Sequence, residues 1–502
     1  MSNILAPVLS HPFFLIAGSI IFLVAYQVHQ SRTAGLNDIP GPWLAKYTNL
    51  WRLLETKKTG GDADYMHEMH KKYGDVVRVG PHAVNVADPA NIPAIYGNKA
   101  RLHKPSAIEV ILSHGRTENI VTIRNPEKHG KYRRPIAGAY SLSSLLDYEV
   151  QVDEMLEKLF GQIDKFTAGG KPIDIARWLF YYAYDVVGYL SFGSPIGFLD
   201  SGKDAYNLIK FQGLIVQYVR HVIQMPILHK FLAGNPLLAY LGVLAPTRDT
   251  FVEFSEIKVA DRLNAPPPER MDMLSHFIAS AEKYPDIMTP AQITSTAVVN
   301  MGAGALGSSK VLQGIVTYLL AHPEQQDKLY AAMKEANVSY PINWKQIQEV
   351  PFLEGLVKEG VRLHLSVGVP LIRESPPSGL RLVDGSVIPA GIEVGMKPYV
   401  VARRQDVWGP NAEEWEPERW MRRGYETETE FKERRAAMER GDLSFGHGAR
   451  TCIGKNIAML QVYKVVSNLV YRYRMVPAPK VDGVGDKRSV FAYITKREGN
   501  VV

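Results

Sequence analysis

No Lys, Arg, Asp or Glu occurs from Met1 to Ser31, and the segment Phe13 to Val28, FFLIAGSIIFLVAYQV, is almost wholly apolar. As a helix it spans roughly 24 Å, and with Ile4 to Leu9 added it is long enough to cross a bilayer. The first positive charge, Arg32, follows the apolar run instead of preceding it, which is the pattern of a retained anchor and not of a cleaved signal. Positive residues stay cytoplasmic, so the pattern predicts a lumenal N-terminus and a cytosolic body. At DIPGPW, Asp38 to Trp43, two prolines fix φ and remove N–H donors, which predicts a stiff non-helical joint. The chain thus divides into an N-terminal membrane anchor over 1–30, a proline-rich hinge over 31–45 and a body over 46–502.

Within the body, alternation of apolar and polar positions marks short strands in DVVRVGPHAVNVADP, from Asp75, and LRLVDGSVIPAGIEV, from Leu380. Most of the rest has helical spacing. One long helix is bracketed by Thr289-Pro290, a cap followed by proline at the first helical position, and by His322-Pro323, where it stops. At roughly 48 Å it crosses a whole domain. Another helix opens after Gly454, in GKNIAMLQVYKVVSNLV. Asn264 to Arg270, NAPPPER, reads as a surface loop. The apolar stretch Ile227 to Pro246 reads as core in preference to a second membrane-touching patch, and the mixed charges from Met421 to Arg440 read as a solvated helix or loop. There is no internal repeat. The predicted fold is mainly α with a small β region, preceded by a single transmembrane helix.

Composition changes this picture little: 46% hydrophobic and 22% charged residues are those of an ordinary globular chain. The formal net charge of +7 over 502 residues does not argue for nucleic acid, and it fits contact with an anionic membrane or an acidic protein partner. The cysteine count matters more. With one cysteine there is no intramolecular disulfide, and Cys452 is inert, catalytic or a ligand.

Its setting, FGHGARTCIG from Phe445 to Gly454, answers that choice. A thiolate is a soft ligand for iron, and burying it requires N–H donors and a positive helix end. Cys452 stands just before a predicted helix N-terminus. Gly446, Gly448 and Gly454 permit a tight bulge with positive φ and let backbone approach a flat cofactor. Arg450 keeps its charge and suits a carboxylate at the cofactor edge, and Phe445 shields the sulfur from water.

Phe445-Gly446-x-Gly448-x-Arg450-x-Cys452-x-Gly454 resembles the haem-binding signature of the cytochrome P450 (haem-thiolate monooxygenase) family at every fixed position. A chance match in a chain of average composition is on the order of 1 in 100,000. The resemblance extends upstream. Glu359-Gly-Val-Arg362 is similar to the family's E-x-x-R helix, and Pro417-Glu-Arg419 to the segment that supplies a second arginine, which implies a buried triad behind the haem. His129-x-x-x-Arg133 and Arg373 resemble the positions that reach the haem propionates. The resemblance implies haem b with Cys452 as its axial ligand, and a reductase partner, an NADPH-dependent flavoprotein of the same membrane. It further implies that one oxygen atom from dioxygen enters a lipophilic small molecule. The style of the chain is similar to filamentous-fungal members that act in secondary-metabolite pathways or detoxify plant compounds, and the resemblance together with the N-terminal anchor implies the endoplasmic reticulum membrane with a cytosolic catalytic domain. The basic residues Lys128, Lys131, Arg134 and Lys455, which the resemblance puts near the proximal face, are candidates to steer the acidic reductase, the alternative being a solvated surface.

The long helix departs from the family pattern. Where the family carries an acid followed by an alcohol that deliver protons during dioxygen activation, this chain has Leu306 and Gly307. Ser308 keeps a hydroxyl one residue later, about 100° further round the helix, and is the candidate catalytic residue. Ala402 to Pro410, ARRQDVWGP, departs from the family's usual His-Arg-Asp-Pro. Two alternatives follow: a haem-thiolate enzyme that desaturates, rearranges or couples its substrate, or a haem-based sensor, for which no effector domain is visible. The pocket is expected from the segment before His129, from Met301 to Ala305, and from Leu365 to Pro370.

Overall fold

The computed structural model describes residues 25–60, 63–111, 117–233, 235, 250–266, 268–364, 370–480 and 489–497. Helices α1 (Leu50–Thr59), α2 (Pro126–Ile136), α3 (Leu142–Ala168), α4 (Ile175–Phe192), α5 (Leu208–Val222), α6 (Pro290–Ala321), α7 (Pro351–Leu363), α8 (Glu428–Gly441) and α9 (Lys455–Arg472) frame the site. The bounds of α6 come from its end residues. The Thr289 hydroxyl accepts the Gln292 N–H at 3.3 Å, Pro290 sits in the first turn, and Pro323 has no N–H with which to continue past His322. One side of α6 is fully buried at Met301, Ala305, Leu312 and Ile315, in one cluster with Leu179 and Val186 of α4 and Val465 and Leu469 of α9. Each of the larger of these side chains contributes about 1.5–3 kcal/mol by leaving water, so these three helices set the rigid centre of the body.

The strands are short. β1 (Val76–Gly80) and β2 (Ala83–Val86) form the hairpin expected around Gly80-Pro81, with Val76 opposite Val86. β3 (Ile173–Asp174), β4 (Arg373–Glu374), β5 (Leu380–Arg381), β6 (Val387–Ile388), β7 (Glu393–Gly395), β8 (Tyr473–Pro477) and β9 (Phe491–Lys496) complete the β region. The sheets run β1-β2-β7-β4, β3-β9-β8 and β5-β6. In the first, β7 lies parallel to β2 and antiparallel to β4, pairing Ala83 with Glu393 and Arg373 with Val394.

The proline-rich hinge packs on this sheet. The Pro40 carbonyl accepts the Arg78 N–H at 2.7 Å, and the buried Arg78 side chain donates to the carbonyls of Leu36 and Pro81 at 3.3 and 2.9 Å. A Cβ at Gly41 would stand 2.3 Å from the Arg78 carbonyl oxygen, so only glycine allows the close approach.

Most of the expected membrane span, residues 13–24, lies outside the described residues. Residues 25–33 are helical, and no described helix is long and apolar enough to cross a membrane. The core assignment for Ile227 to Pro246 needs correction where it is described. Ile227–Phe231 is a single surface turn with Ile227 46% and Phe231 66% exposed. A turn reading ILHKF cannot bury its apolar residues without burying His229 and Lys230 beside them. Within Met421 to Arg440, α8 is a solvated helix, with a Thr427–Glu430 capping box at its start.

Candidate active site

Cys452 lies in a tight loop two residues before the N-cap of α9, Gly454. Its N–H donates to the Phe445 carbonyl at 2.8 Å, which folds FGHGARTC back on itself. Gly446 and Gly448 take φ of 71° and 65°, and a Cβ on Gly448 would stand 2.1 Å from the Tyr96 carbonyl oxygen. Gly454 differs from the expectation: its φ is −86° and a Cβ there would meet nothing. Its contribution is electrostatic. Burial pushes the Cys452 thiol pKa up, while the Gly454 N–H and the charges of Arg133 and Lys455 pull it down. The side chain is nevertheless exposed, so the sulfur lies deep among protein atoms yet opens onto accessible space. Lys455 sits over the Phe445 ring at 5.5 Å, beside the same loop.

Cations gather next to this loop. Arg450 donates to the carbonyls of Ile123 and Arg124 at 2.8 and 2.7 Å, and Arg133 to the Thr451 carbonyl at 2.7 Å. Arg373, 8% exposed, lies over the Tyr96 ring, and Lys104 donates to the Val121 carbonyl at 2.5 Å. His129 is buried on α2, whose start is fixed by the Asn125 side chain accepting from the N–H groups of Glu127 and Lys128. Burial and then the charge of Arg373 push the Arg450 pKa down to about 10. Burial and then Arg450 push Lys104 to about 7 and His129 to about 3. Among the described residues none of these five side chains has a carboxylate in ion-pair distance. Four cations, Arg373 buried and Lys104, Arg133 and Arg450 half-buried around a neutral His129, are costly to gather without an anion, and carboxylates brought by a ligand would relieve that cost. His129, Arg133, Arg373 and Arg450 were predicted from the sequence. Lys104 was not, because nothing in RLHKP distinguishes it from a surface lysine until Arg450 and Arg373 are placed beside it.

On α6 the exposure pattern fixes which side faces open space. Ala303 is exposed in the middle of the helix, with Leu306, Gly307 and Lys310 half-buried on the same strip. The side chain of Ser308 points elsewhere. It is 1% exposed, on the side of Met301, Ala305 and Leu312, and its Oγ has no hydrogen-bond partner. The candidate catalytic serine is thus corrected to a core position, because one residue of α-helix rotates the side chain by about 100°. Lys310, the only charged residue of α6, was passed over in the sequence. Of the expected pocket, residues 365–369 and 112–116 lie outside the described residues.

Behind the cysteine loop, Arg362 grips Glu359 through Nε and Nη2 at 2.9 and 2.6 Å, and Arg419 Nε reaches the same carboxylate at 3.3 Å. All three are essentially inaccessible. The Trp420 indole at 3.0 Å and the Glu416 N–H at 3.1 Å complete the carboxylate's partners. Arg362 also donates to the carbonyls of Ala402, Ala412 and Glu414, and Arg419 to those of Trp408 and Asn411, so the triad ties α7 to the 402–420 segment.

Residues 40–496 match the family model described as Cytochrome P450. The chain belongs to the cytochrome P450 family. It is 35% identical over 454 residues to the cytochrome P450 monooxygenase cicH of Emericella nidulans, covering 88% of each chain. It is 34% identical over 452 residues to a cytochrome P450 monooxygenase of Aspergillus terreus, covering 87% of this chain and 90% of that one. To the cytochrome P450 monooxygenase mfmA of Annulohypoxylon moriforme it is 30% identical over 495 residues, with 92% of each covered. Family and relatives together make this chain a cytochrome P450 monooxygenase, so the sensor alternative falls away. Cytochromes P450 bind haem through a cysteine thiolate, and the residues present fit that group. An accessible thiol faces N–H and positive charge, glycines leave backbone bare beside it, α6 exposes an alanine at its middle, and the nearby cations lack the two carboxylates that haem carries.

Proposed function

We propose that Cys452 is the axial thiolate of haem b, that Phe445 shields its sulfur, and that Lys104, His129, Arg133, Arg373 and Arg450 receive the propionates. The observation that carries this reading is the cation cluster beside the thiol, which has no carboxylate in ion-pair distance among the described residues. Bound haem supplies activation of dioxygen and insertion of one oxygen atom into a lipophilic small molecule. The chain supplies the rest. Gly454 N–H and the α9 terminus stabilise negative charge at sulfur, the cations orient the haem edge, and the buried face of α6 holds Ala303 and Gly307 at the reacting side. Electrons come from NADPH through a membrane-bound flavoprotein reductase. Lys131, Arg134 and Lys455 are exposed and free of ion pairs among the described residues, whereas Lys128 is already paired with Glu118. The substrate belongs to fungal secondary metabolism, as the fungal relatives support. Microsomes holding the protein and a reductase should consume NADPH and dioxygen with extracts of a strain deleted for it, and convert the precursor that strain accumulates. Conversion without reductase contradicts the reading.

Leu306 and Gly307 on the exposed strip support a second reading, in which the reaction is desaturation, rearrangement or coupling. The usual acid and alcohol are absent, and protons reach the site from water, from a substrate hydroxyl or by way of Lys310. Ser308→Ala is expected to change the ratio of product to NADPH by less than about twofold, because the hydroxyl faces the core. A collapse of that ratio, with hydrogen peroxide released, makes Ser308 the relay.

We place the protein in the endoplasmic reticulum membrane as a single-pass protein with its body in the cytosol. Asn337-Val338-Ser339 tests this, since Asn337 is exposed and its sequon is available to glycosylation on the lumenal side only. Endoglycosidase treatment should leave the mobility unchanged, and a shift abolished by Asn337→Gln would reverse the orientation.

A further inference from the structure

The open strip of α6 is closed at both ends. At one, Asn300 accepts from the buried Tyr140 hydroxyl. At the other, a Cβ on Gly314 would stand 2.2 Å from the His364 ring, so that ring lies directly on the helix. Burial and then Arg403 push the His364 pKa down to about 4, which leaves the ring neutral. Between these ends Ala303 is exposed, and Leu306, Gly307 and Lys310 are half-buried. Lys310 follows Ala303 by about two turns and differs from it by only about 20° around the axis, so the two share one line along the helix. Helical side chains lean toward the N-terminus, and the long stem of Lys310 therefore runs back over the turn of Leu306 and Gly307, away from His364. Gly307 has no side chain to obstruct it.

Charge decides the class of ligand. Lys310 is the single charged residue among the 32 of α6, and Leu306 stands where the family carries its acid. An acid at that place would pair with the ammonium and repel an anionic ligand, whereas leucine does neither. Lys310 also stands apart from the cations that suit the haem propionates. Burial and neighbouring arginines lower the pKa values of Lys104 and Arg450, burial lowers that of Arg373, and Lys310 contributes to none of these shifts. A half-buried ammonium on an apolar strip attracts an anion more strongly than it would in water. One charge is balanced by one, so a carboxylate fits better than a phosphate, which carries about two. We propose that the lipophilic substrate carries a carboxylate and that Lys310 holds it on the open strip of α6, which makes Lys310 a specificity-determining residue. The proposal rests on the monooxygenase reading above and names its substrate class. An ammonium has three N–H donors, so one goes to the carboxylate while another keeps an acceptor in the protein.

The test is a spectral titration of the ferric holoenzyme at neutral pH, following the spin-state change on binding. Two matched pairs serve as probes, laurate with methyl laurate and phenylacetate with methyl phenylacetate. The wild type should bind the acid of a pair about tenfold tighter than its ester. Lys310→Met should weaken the acid to the affinity of the ester and leave the ester unchanged, and Lys310→Arg should keep the preference. Lys310→Gln replaces the methionine variant if that variant fails to accumulate with haem. Esters bound as tightly as acids by the wild type, or a preference for acids that survives Lys310→Met, overturns the proposal. Each protein is first checked for its ferrous carbon monoxide band. Loss of that band from the wild type would count against the haem-thiolate reading, whereas a normal band with equal affinities counts against the carboxylate site alone.

Discussion

Arg362→Ala is expected to yield no folded holoprotein, not a slow enzyme. The substitution removes five donated hydrogen bonds at once, two to Glu359 and three to the carbonyls of Ala402, Ala412 and Glu414, and Glu359, Ala402 and Ala412 are buried. Breaking a buried ion pair by deleting one member costs about 3–5 kcal/mol, a large part of the stability of an ordinary domain. The loss also loosens the 402–420 segment from α7, leaving the Glu359 carboxylate held by Arg419, Trp420 and the Glu416 N–H without its charge partner on α7. Arg362→Lys should fail as well, because an ammonium cannot make the two-pronged grip on Glu359 while reaching three carbonyls. Haem content per mole of purified protein, with thermal unfolding of whatever accumulates, checks this. Normal haem content in Arg362→Ala would show that the triad does not hold the fold.

Cys452→Ser is expected to fold and to lose turnover altogether. The side chain is accessible, its loop is closed by backbone bonds from Cys452 N–H to Phe445 and from Thr451 N–H to Gly448, and neither bond involves the sulfur. Stability should therefore change little. Serine keeps the shape but remains a neutral alcohol at neutral pH, so it supplies no soft anionic ligand. Haem should still be drawn by the cation cluster, giving protein that takes up haem more weakly and consumes no NADPH above background with reductase present. The measurements are thermal midpoint, haem occupancy and NADPH consumption. Full turnover in the serine variant would remove Cys452 from the chemistry.

How much of this was readable in the chain follows from the range of each signal. The cysteine loop is local, so spacing alone displayed it, and Glu359 and Arg362 share a helix face because they are three apart. The ends of α6 were readable because Thr289, Pro290 and Pro323 act on their own backbone. Its register was harder: Ser308 looked like a displaced alcohol until the exposure of Ala303 showed which side opens outward. Lys104 was hidden for another reason. Its meaning depends on neighbours, Arg450 and Arg373, that only the folded chain brings together. At Ile227, apolar content pointed inward, but a single turn carrying His229 and Lys230 stays at the surface.

The most direct test is the absorption spectrum of the dithionite-reduced, carbon monoxide-bound wild type beside Cys452→Ser at equal haem concentration. A thiolate opposite the carbon monoxide shifts the Soret band strongly to the red, and the predicted result is that shift in the wild type and its absence in the serine variant. An unshifted band in fully haem-loaded wild type, or a red-shifted band that persists without Cys452, would contradict the assignment.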